Sequence, residues 1–267
     1  MKPDLDEVKK VIPQPPSEEL VIWRYVDFTK FLDLLETKAL FFSRVSELDD
    51  PFEGSFPSAQ TVLERLKGAL APSGFPPDAE IRLGPGIEQV WKTMRYWAMV
   101  NCWHASDHES AAMWRLYAET SAAVAIRSTV GRLRAAMQAP EPPKGFGGSD
   151  YVFLGMIEYI DYAKDRIPDG SFAAQFYRKR RSFEHERELR AMAIQFPRSP
   201  DGEKVDHDRR PEDGGIHVHV DLALLIEGIS IAPQAPPWFA RLVTAVTAKY
   251  GLTVTPLQSA LDAAPLF

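Results

Sequence analysis

Four groups of residues carry enough ionisable and aromatic character to do chemistry. In the first, Arg24 stands between Trp23 and Tyr25 in an otherwise apolar run, and three acids follow in the loop Asp49-Asp50-Pro51-Phe52-Glu53. A guanidinium in apolar surroundings seeks a carboxylate or a phosphate, because its planar fork pairs with either in bidentate fashion. Two readings follow. Either Arg24 pairs with an acid of the loop and pins it to a sheet, or Arg24 binds an anionic ligand with Tyr25, Asp50 and Glu53 beside it.

The second group is His104-Ala105-Ser106-Asp107-His108-Glu109-Ser110, followed by Met113-Trp114 and Tyr117. A strand-to-helix junction of this composition suits a cleft mouth, where a helix N-terminus also favours anions. Trp114 and Tyr117 are one helical turn apart and share a face, so they are candidates to stack on a base or a nicotinamide ring. The structural alternative has Glu109 capping its own helix and both aromatics in the core.

The third group runs from Arg178 to Arg190. If residues 186–190 are extended, Glu186, Glu188 and Arg190 share one face, with Arg187 and Leu189 on the other. Like charges on one strand face need solvent, cations or a ligand beside them. Two close carboxylates also push their pKa values apart, which suits acid–base work. If the segment is helical instead, Glu184 with Glu188 and Glu186 with Arg190 are ordinary i, i+4 neighbours on a wet surface. The basic run 178–181 reads as a solvated helix end, where cations are favoured.

The fourth is His217-Val218-His219, whose imidazoles face one way on a strand, as a metal pair would need. No third ligand accompanies them, so no metal is assigned. The single cysteine, Cys102, excludes an intrachain disulfide and a multi-cysteine metal site; beside Trp103 it reads as buried and inert. Neither common glycine-rich phosphate loop occurs, nor a Gly-x-Ser-x-Gly elbow, which disfavours a P-loop NTPase and an α/β-hydrolase.

The elements that must position these groups follow from hydrophobic periodicity. Residues 20–25 read as a strand. Asp27 reads as an N-cap for a helix whose stripe is Phe28, Phe31, Leu32 and Leu35, and Ala39–Phe42 as a second strand. Residues 46–56 form a polar loop, 58–70 a helix, 71–86 a Pro/Gly-rich loop and 87–97 a helix. A strand over 98–103 precedes a helix reaching Ala118, with capping-box spacing between Ser106 and Glu109. Then come a buried strand over 122–126, a helix over 129–137, a loop over 138–149 and a long strand over 151–162. A helix over 171–183 and a strand over 186–196 follow, then a polar loop over 197–215. Two short strands flank Glu227-Gly228 within 217–232. A helix opened by Pro236-Pro237 carries Phe239, Leu242, Val243, Val246 and Tyr250 on one face, and a last strand covers 252–256.

This mixture argues an α+β (mixed α/β) fold with a central mixed sheet. Residues 1–18 read as a flexible N-terminal arm and 19–267 as one domain. The chain has 267 residues, 45% apolar and 25% charged, with a net charge of −6. These are ordinary globular values, which exclude a disordered chain or a fibre. The acidity speaks against a basic nucleic-acid grip over the whole surface. No apolar run approaches the roughly 18 residues of a spanning helix. The polar, proline-punctuated start does not read as a signal peptide. A cytoplasmic protein, away from membranes, is expected.

The ordered set of motifs resembles the bacterial domain of unknown function 2971 family. The matching stretches are WRYVDFTKFLDLLETKALFFSRVSELDDPFEG, CWHASDHESAAMWRLYAE with AAVAIRST, YRKRRSFEHERELRAM and, more weakly, VDLALLIEGISIAP. Together they span about 20–260. The family's Asn-Asp-Pro-Phe-Glu stands here as Asp49-Asp50-Pro51-Phe52-Glu53. Its Met-Trp-x-x-Tyr is Met113 to Tyr117, and its Glu-x-Glu-x-Arg is Glu186, Glu188 and Arg190, preceded by Phe183. The resemblance supplies no reaction. A more distant similarity of pattern is to the ADP-ribosyltransferase fold, which also opens strand–helix–strand. It implies Arg24 holding NAD, Tyr117 or Trp114 on the nicotinamide, and Glu186 or Glu188 polarising the ribose. An evident Ser-Thr-Ser element is missing, although Arg127-Ser128-Thr129 follows a strand.

Three functions compete. The first is an NAD-using transferase or glycohydrolase in which Arg24, Trp114, Tyr117 and Glu186 converge on one cleft. NAD is then the substrate, with no obligatory cofactor. The second is a non-enzymatic ligand-binding or regulatory module of a stress or phage-defence system. The third, disfavoured by the acidity, is a nuclease or nucleic-acid-binding protein using 178–190. A small-molecule nucleotide is thus the expected partner, nucleic acid is not, and no protein partner is specified.

Overall fold

The computed structural model describes residues 10–57, 93–117, 121–137, 152–168, 173–195 and 213–262. The expected elements at 58–70, 71–86 and 138–149, and most of the loop at 197–215, lie outside the described residues.

The chain opens as its periodicity demands. In β1 (Val21–Asp27) a period of two puts Ile22 and Val26 in the main core, while Trp23 and Tyr25 pack into a separate aromatic cluster. Asp27 ends the strand and caps α1 (Phe28–Thr37), its carboxylate accepting from the Lys30 amide at 2.8 Å. The buried stripe of α1 is Phe31, Leu34 and Leu35; Leu32, expected inside, is 38% exposed. Lys38, at φ 50°, turns the chain into β2 (Ala39–Arg44).

Further elements follow: β3 (Ala98–Ala105), α2 (Ala111–Tyr117), β4 (Ala123–Thr129), α3 (Val130–Met137), β5 (Val152–Met156), β6 (Glu158–Ile160) and β7 (Arg178–Arg180). After a 3₁₀ turn over Arg181–Glu186 come β8 (Glu188–Ile194), β9 (Gly215–His219), α4 (Leu222–Leu225), β10 (Gly228–Ile231), α5 (Pro237–Lys249) and β11 (Leu257–Gln258).

Nine of these strands form one sheet, in the order β11-β10-β4-β1-β3-β2-β9, with β8 pairing β3 and β5 pairing β8. Its pairs are antiparallel except β10–β11, so the sheet is mixed and the fold is α+β, as expected. The small parallel pair β6–β7 lies apart. One face packs Phe31, Leu35, Leu133, Phe239 and Val243 from α1, α3 and α5 into the main core. The other buries Trp97, Val100, Phe176, Tyr177 and Met192.

The centre of the sheet is forked. On one edge β3 pairs continuously with β8, from Ala98↔Ile194 to His104↔Glu188. On its other edge it meets two strands. Val100 and Met99 pair with Ser43 and Arg44 of β2, and Ala105 and His104 pair with Ile22 and Trp23 of β1. Asn101, Cys102 and Trp103 have no ladder partner on that edge, and β1 and β2 diverge there. Side chains bridge the gap: Arg24 donates to the Cys102 carbonyl at 2.8 Å, and the Asn101 amide donates to the Phe41 carbonyl at 2.9 Å.

Several expectations are corrected. The long strand over 151–162 is two strands in two sheets. The β8 ladder ends at Glu188, so past Met156 the chain leaves it and pairs with β7. The helix over 171–183 is a 3₁₀ turn (Ala174–Tyr177), β7 and a second 3₁₀ turn. Ion pairs to distant acids override local helix propensity there. A short helix, α4, stands between β9 and Glu227-Gly228, and the last strand is at 257–258, not 252–256. Of residues 1–18, those described begin at Lys10 and reach β5. Ile12 is 3% exposed and packs so close to Gly155 that a Cβ there would lie 2.2 Å from its Cγ2, and the Pro13 carbonyl accepts from the Met156 amide.

Candidate functional site

The strand period that builds the sheet also builds the site. On β3 and β8 the even-numbered residues share a face, so Cys102, His104, Glu188 and Arg190 stand together above apolar Val100 and Met192. Between the 3₁₀ turn ending at Glu186 and the start of β8, Arg187 adopts φ 43° and ψ 52°. A left-handed non-glycine residue is strained and persists only where its surroundings hold it. Here the Ala105 amide donates to the Arg187 carbonyl at 2.9 Å, and His104 Nδ1 lies 2.6 Å from the Glu186 carbonyl. The kink brings Glu186 onto the same cluster as Glu188 and Arg190, although 186–190 is not the continuous strand expected.

Five charges interlock. Lys179 Nζ lies 2.5 Å from Glu186 Oε2, 3.0 Å from Glu53 Oε1 and 3.4 Å from Glu188 Oε2. Arg190 is fully buried. It reaches Glu188 at 2.6 Å and Glu53 at 2.8 Å, and donates to the Phe176 carbonyl at 2.7 Å. Three carboxylates face two cations, so the cluster carries one surplus negative charge. Burial alone would raise the Glu188 carboxyl, but Arg190 and then Lys179 outweigh it and hold it down at about 2. Lys179 is pushed up: burial works against its charge, and Glu188 and Glu53 more than compensate.

This arrangement makes stability acid-sensitive. With the folded pKa below the unfolded value of about 4.3, the contribution of Glu188 is complete above that value and fades as pH falls through about 2. About 3 kcal/mol should be lost between pH 5 and 2, at 1.36 kcal/mol per unit. Urea unfolding of the wild type and Glu188→Gln at pH 7, 4 and 2.5 checks this. Identical acid slopes in the two proteins sink the assignment.

A cleft of about 640 Å³ opens over this face and into the fork. Of the expected site residues it is lined by Arg24, Tyr25, Glu53, Tyr117, Glu186, Glu188 and Arg190. Tyr117 donates to Glu186 Oε1 at 3.2 Å, and burial, with Glu186 beside it, keeps its hydroxyl protonated. Tyr25 accepts from the Ser110 amide at 2.8 Å, and burial pushes its phenol up to about 12, so its own proton remains to donate. Arg24 is half-buried in the fork and donates to the Cys102 carbonyl; it has no ion pair among the described residues. Burial lowers its pKa, with Cys102 and Tyr117 opposing. It is therefore not the clamp of the Asp50 loop. That loop is held by Arg180 on Asp50, at 2.9 Å, and by Lys179 and Arg190 on Glu53.

Two expected site residues are not among the cleft's lining. Asp50 is 5% exposed and occupied by Arg180 and the Phe52 amide. Trp114 is 5% exposed, packs edge-on to Tyr25 with ring centroids 5.0 Å apart, and donates to Glu109. Nor does Glu109 cap α2. Ser110 does, its hydroxyl accepting from the Met113 amide, while Glu109 receives Ser230 and Ser259.

Lys179, which the sequence presents as part of a solvated helix end, belongs to the cluster and lines the cleft. The available signal was alternation: on a strand Arg178 and Arg180 face one way and Lys179 the other. His104 and Cys102 also line the cleft. Burial, then Glu188, push the Cys102 thiol up; the residue, expected buried, is half-buried. His217 pairs with Asp33 at 3.1 Å, and no group able to hold a metal occurs among the described residues. Among these residues no helix is long and apolar enough to cross a membrane.

No family model matches the chain. No curated protein matches it. Among solved structures, DarT of Thermus sp. 2.9 in complex with NAD+ is similar at 8% identity, over 93% of this chain and 99% of that one, with a TM-score of 0.40. The complex of DarT from the same organism with carba-NAD+ matches at 9% identity over 91% and 96%, and that with ADP-ribosylated ssDNA at 9% over 92% and 95%; both have TM-scores of 0.37.

Proposed function

We propose that the cleft binds a nicotinamide dinucleotide and supports cleavage of its nicotinamide–ribose bond, as an ADP-ribosyltransferase or NAD glycohydrolase. The observation that carries this reading is the division of charge. A half-buried guanidinium with no ion-pair partner among the described residues and a carboxylate cluster with one surplus charge line the same cleft. A ligand suited to it carries an anion and a cation. NAD has both, a diphosphate for Arg24 and a pyridinium near Glu186. The volume lies within the roughly 300–1,000 Å³ of small-molecule clefts.

The chemistry follows from the charges. As the C–N bond breaks, its electron pair leaves with nicotinamide and the ribose becomes oxocarbenium-like. Glu186 opposes that positive charge, fixed in place by Tyr117 and Lys179 before the reaction begins. Water at the anomeric carbon then gives ADP-ribose, and an acceptor nucleophile gives an ADP-ribosylated product. Glu188 and Glu53, saturated by Arg190 and Lys179, hold the scaffold. One observation favours a second reading, a binding module without turnover. Lys179 at 2.5 Å already neutralises much of Glu186.

A thermal-shift titration with NAD and ADP-ribose tests the reading. Ligand at a hundredfold excess over Kd adds about 2.7 kcal/mol, a rise of roughly 5–10 °C for a chain of this size. The rise should vanish in Arg24→Ala. Release of nicotinamide then separates enzyme from binding module. The absence of any shift with either nucleotide would refute the proposal.

A further inference from the structure

We infer that His104 presents Nε2 to the cleft as a hydrogen-bond acceptor for a hydroxyl group of the ligand, selecting a ribose over its deoxy counterpart. The inference rests on the nucleotide reading above.

The tautomer follows from what His104 touches. Its Nδ1 lies 2.6 Å from the backbone carbonyl of Glu186. A carbonyl oxygen only accepts, so Nδ1 carries the hydrogen. In the neutral ring Nε2 then holds a lone pair. The neutral form is favoured. Burial lowers the pKa most, and Arg187, His108 and His185 lower it further, against the opposing hydrogen bond to Glu186. Nε2 has no partner among the described residues, and His104 lines the cleft. With Nδ1 engaged, Nε2 is the ring's remaining polar atom, an acceptor left for a donor that enters the cleft.

The direction of the bond narrows the ligand. Tyr117 gives its proton to Glu186, and no hydrogen bond from Tyr25 to His104 occurs among the described residues, so the donor to Nε2 comes with the ligand. His104 pairs with Glu188 across the ladder, and its imidazole holds the carbonyl of Glu186. A hydroxyl that reaches Nε2 is thus beside the carboxylates, which in the dinucleotide reading means the ribose on the nicotinamide side. His104 adds specificity here, because a site that hydrogen-bonds a hydroxyl rejects an analogue lacking it.

Two variants separate the roles of the two nitrogens. In His104→Asn the side-chain amide replaces the Nδ1 donor and removes the Nε2 acceptor. In His104→Gln the amide sits one carbon further out and abandons the Glu186 carbonyl. The probes are NAD and an analogue whose nicotinamide-side ribose has both hydroxyls replaced by hydrogen, with binding measured by calorimetry. Wild type should prefer NAD by roughly five- to tenfold through this bond. His104→Asn should keep its melting temperature, bind NAD more weakly by that factor, and lose the same factor of preference between the probes. Unchanged preference in His104→Asn, with wild type binding NAD, overturns this inference and leaves the nucleotide reading standing. Equal losses for both probes would make His104 a packing residue and overturn it too. Failure of the wild type to bind either probe overturns both.

Discussion

Glu186→Gln should reduce nicotinamide release by about 10²- to 10³-fold, the usual loss when one preorganised electrostatic contact to a developing charge is removed. The substitution keeps shape and hydrogen-bonding capacity, so the Tyr117 hydroxyl retains an acceptor. Lys179 keeps Glu53 at 3.0 Å and Glu188 at 3.4 Å. The melting temperature should therefore move little, and NAD affinity should fall far less than turnover. Single-turnover kinetics with NAD, run beside a melting curve, give both numbers. Full activity in the variant would end the assignment of Glu186. Parallel collapse of activity and stability would make it a structural carboxylate.

The second large effect is on folding. Arg190→Met should destabilise the protein by about 3–5 kcal/mol, the cost of leaving a buried charge without its partner. Arg190 is fully buried and answers both Glu188 and Glu53, each 3% exposed or less. Lys179 alone would then face three carboxylates. Against a typical total of about 5–15 kcal/mol this is about a fifth of the stability or more. Urea unfolding at pH 7 measures it. Adding Glu188→Gln and Glu53→Gln to Arg190→Met should recover part of the loss, because residues in one network do not contribute additively. A triple variant as weak as the sum of its parts would show that the cluster is not a unit.

Much of the frame was legible in the sequence because it is set by short-range periodicity. The alternation in Val21–Asp27, the cap at Asp27 and the helix behind Pro237 each follow from neighbours a few residues apart. Arg24 stood out for the same reason, a cation in an apolar strand. Lys179 did not, because its acids come from Glu53, Glu186 and Glu188 on separate segments. Lys179 and the acids meet only through tertiary folding. Trp114 and Tyr117 are indistinguishable by spacing. Which of the two turns inward was decided by the packing of α2 against β1, where Tyr25 receives the indole edge-on. The strand expected over 186–196 begins only at Glu188, after the 3₁₀ turn and Arg187. A left-handed arginine has no local signature when glycine is the residue that usually signals one.

The fork in the sheet also limits how the cleft can respond to a ligand. Each arm is stitched along its outer border, β1 to β4 over seven residue pairs and β2 to β9 over five, and each is rooted in β3. Neither β1 nor β2 can move by itself without breaking its ladder to β4 or β9 and its pairs to β3. Among the described residues the cavity thus changes shape first through side-chain rotamers rather than through either strand alone. Little conformational entropy is then surrendered on association. Affinity differences among related ligands should reside in how fast they leave, since a misfit of one chemical group meets a backbone that cannot yield.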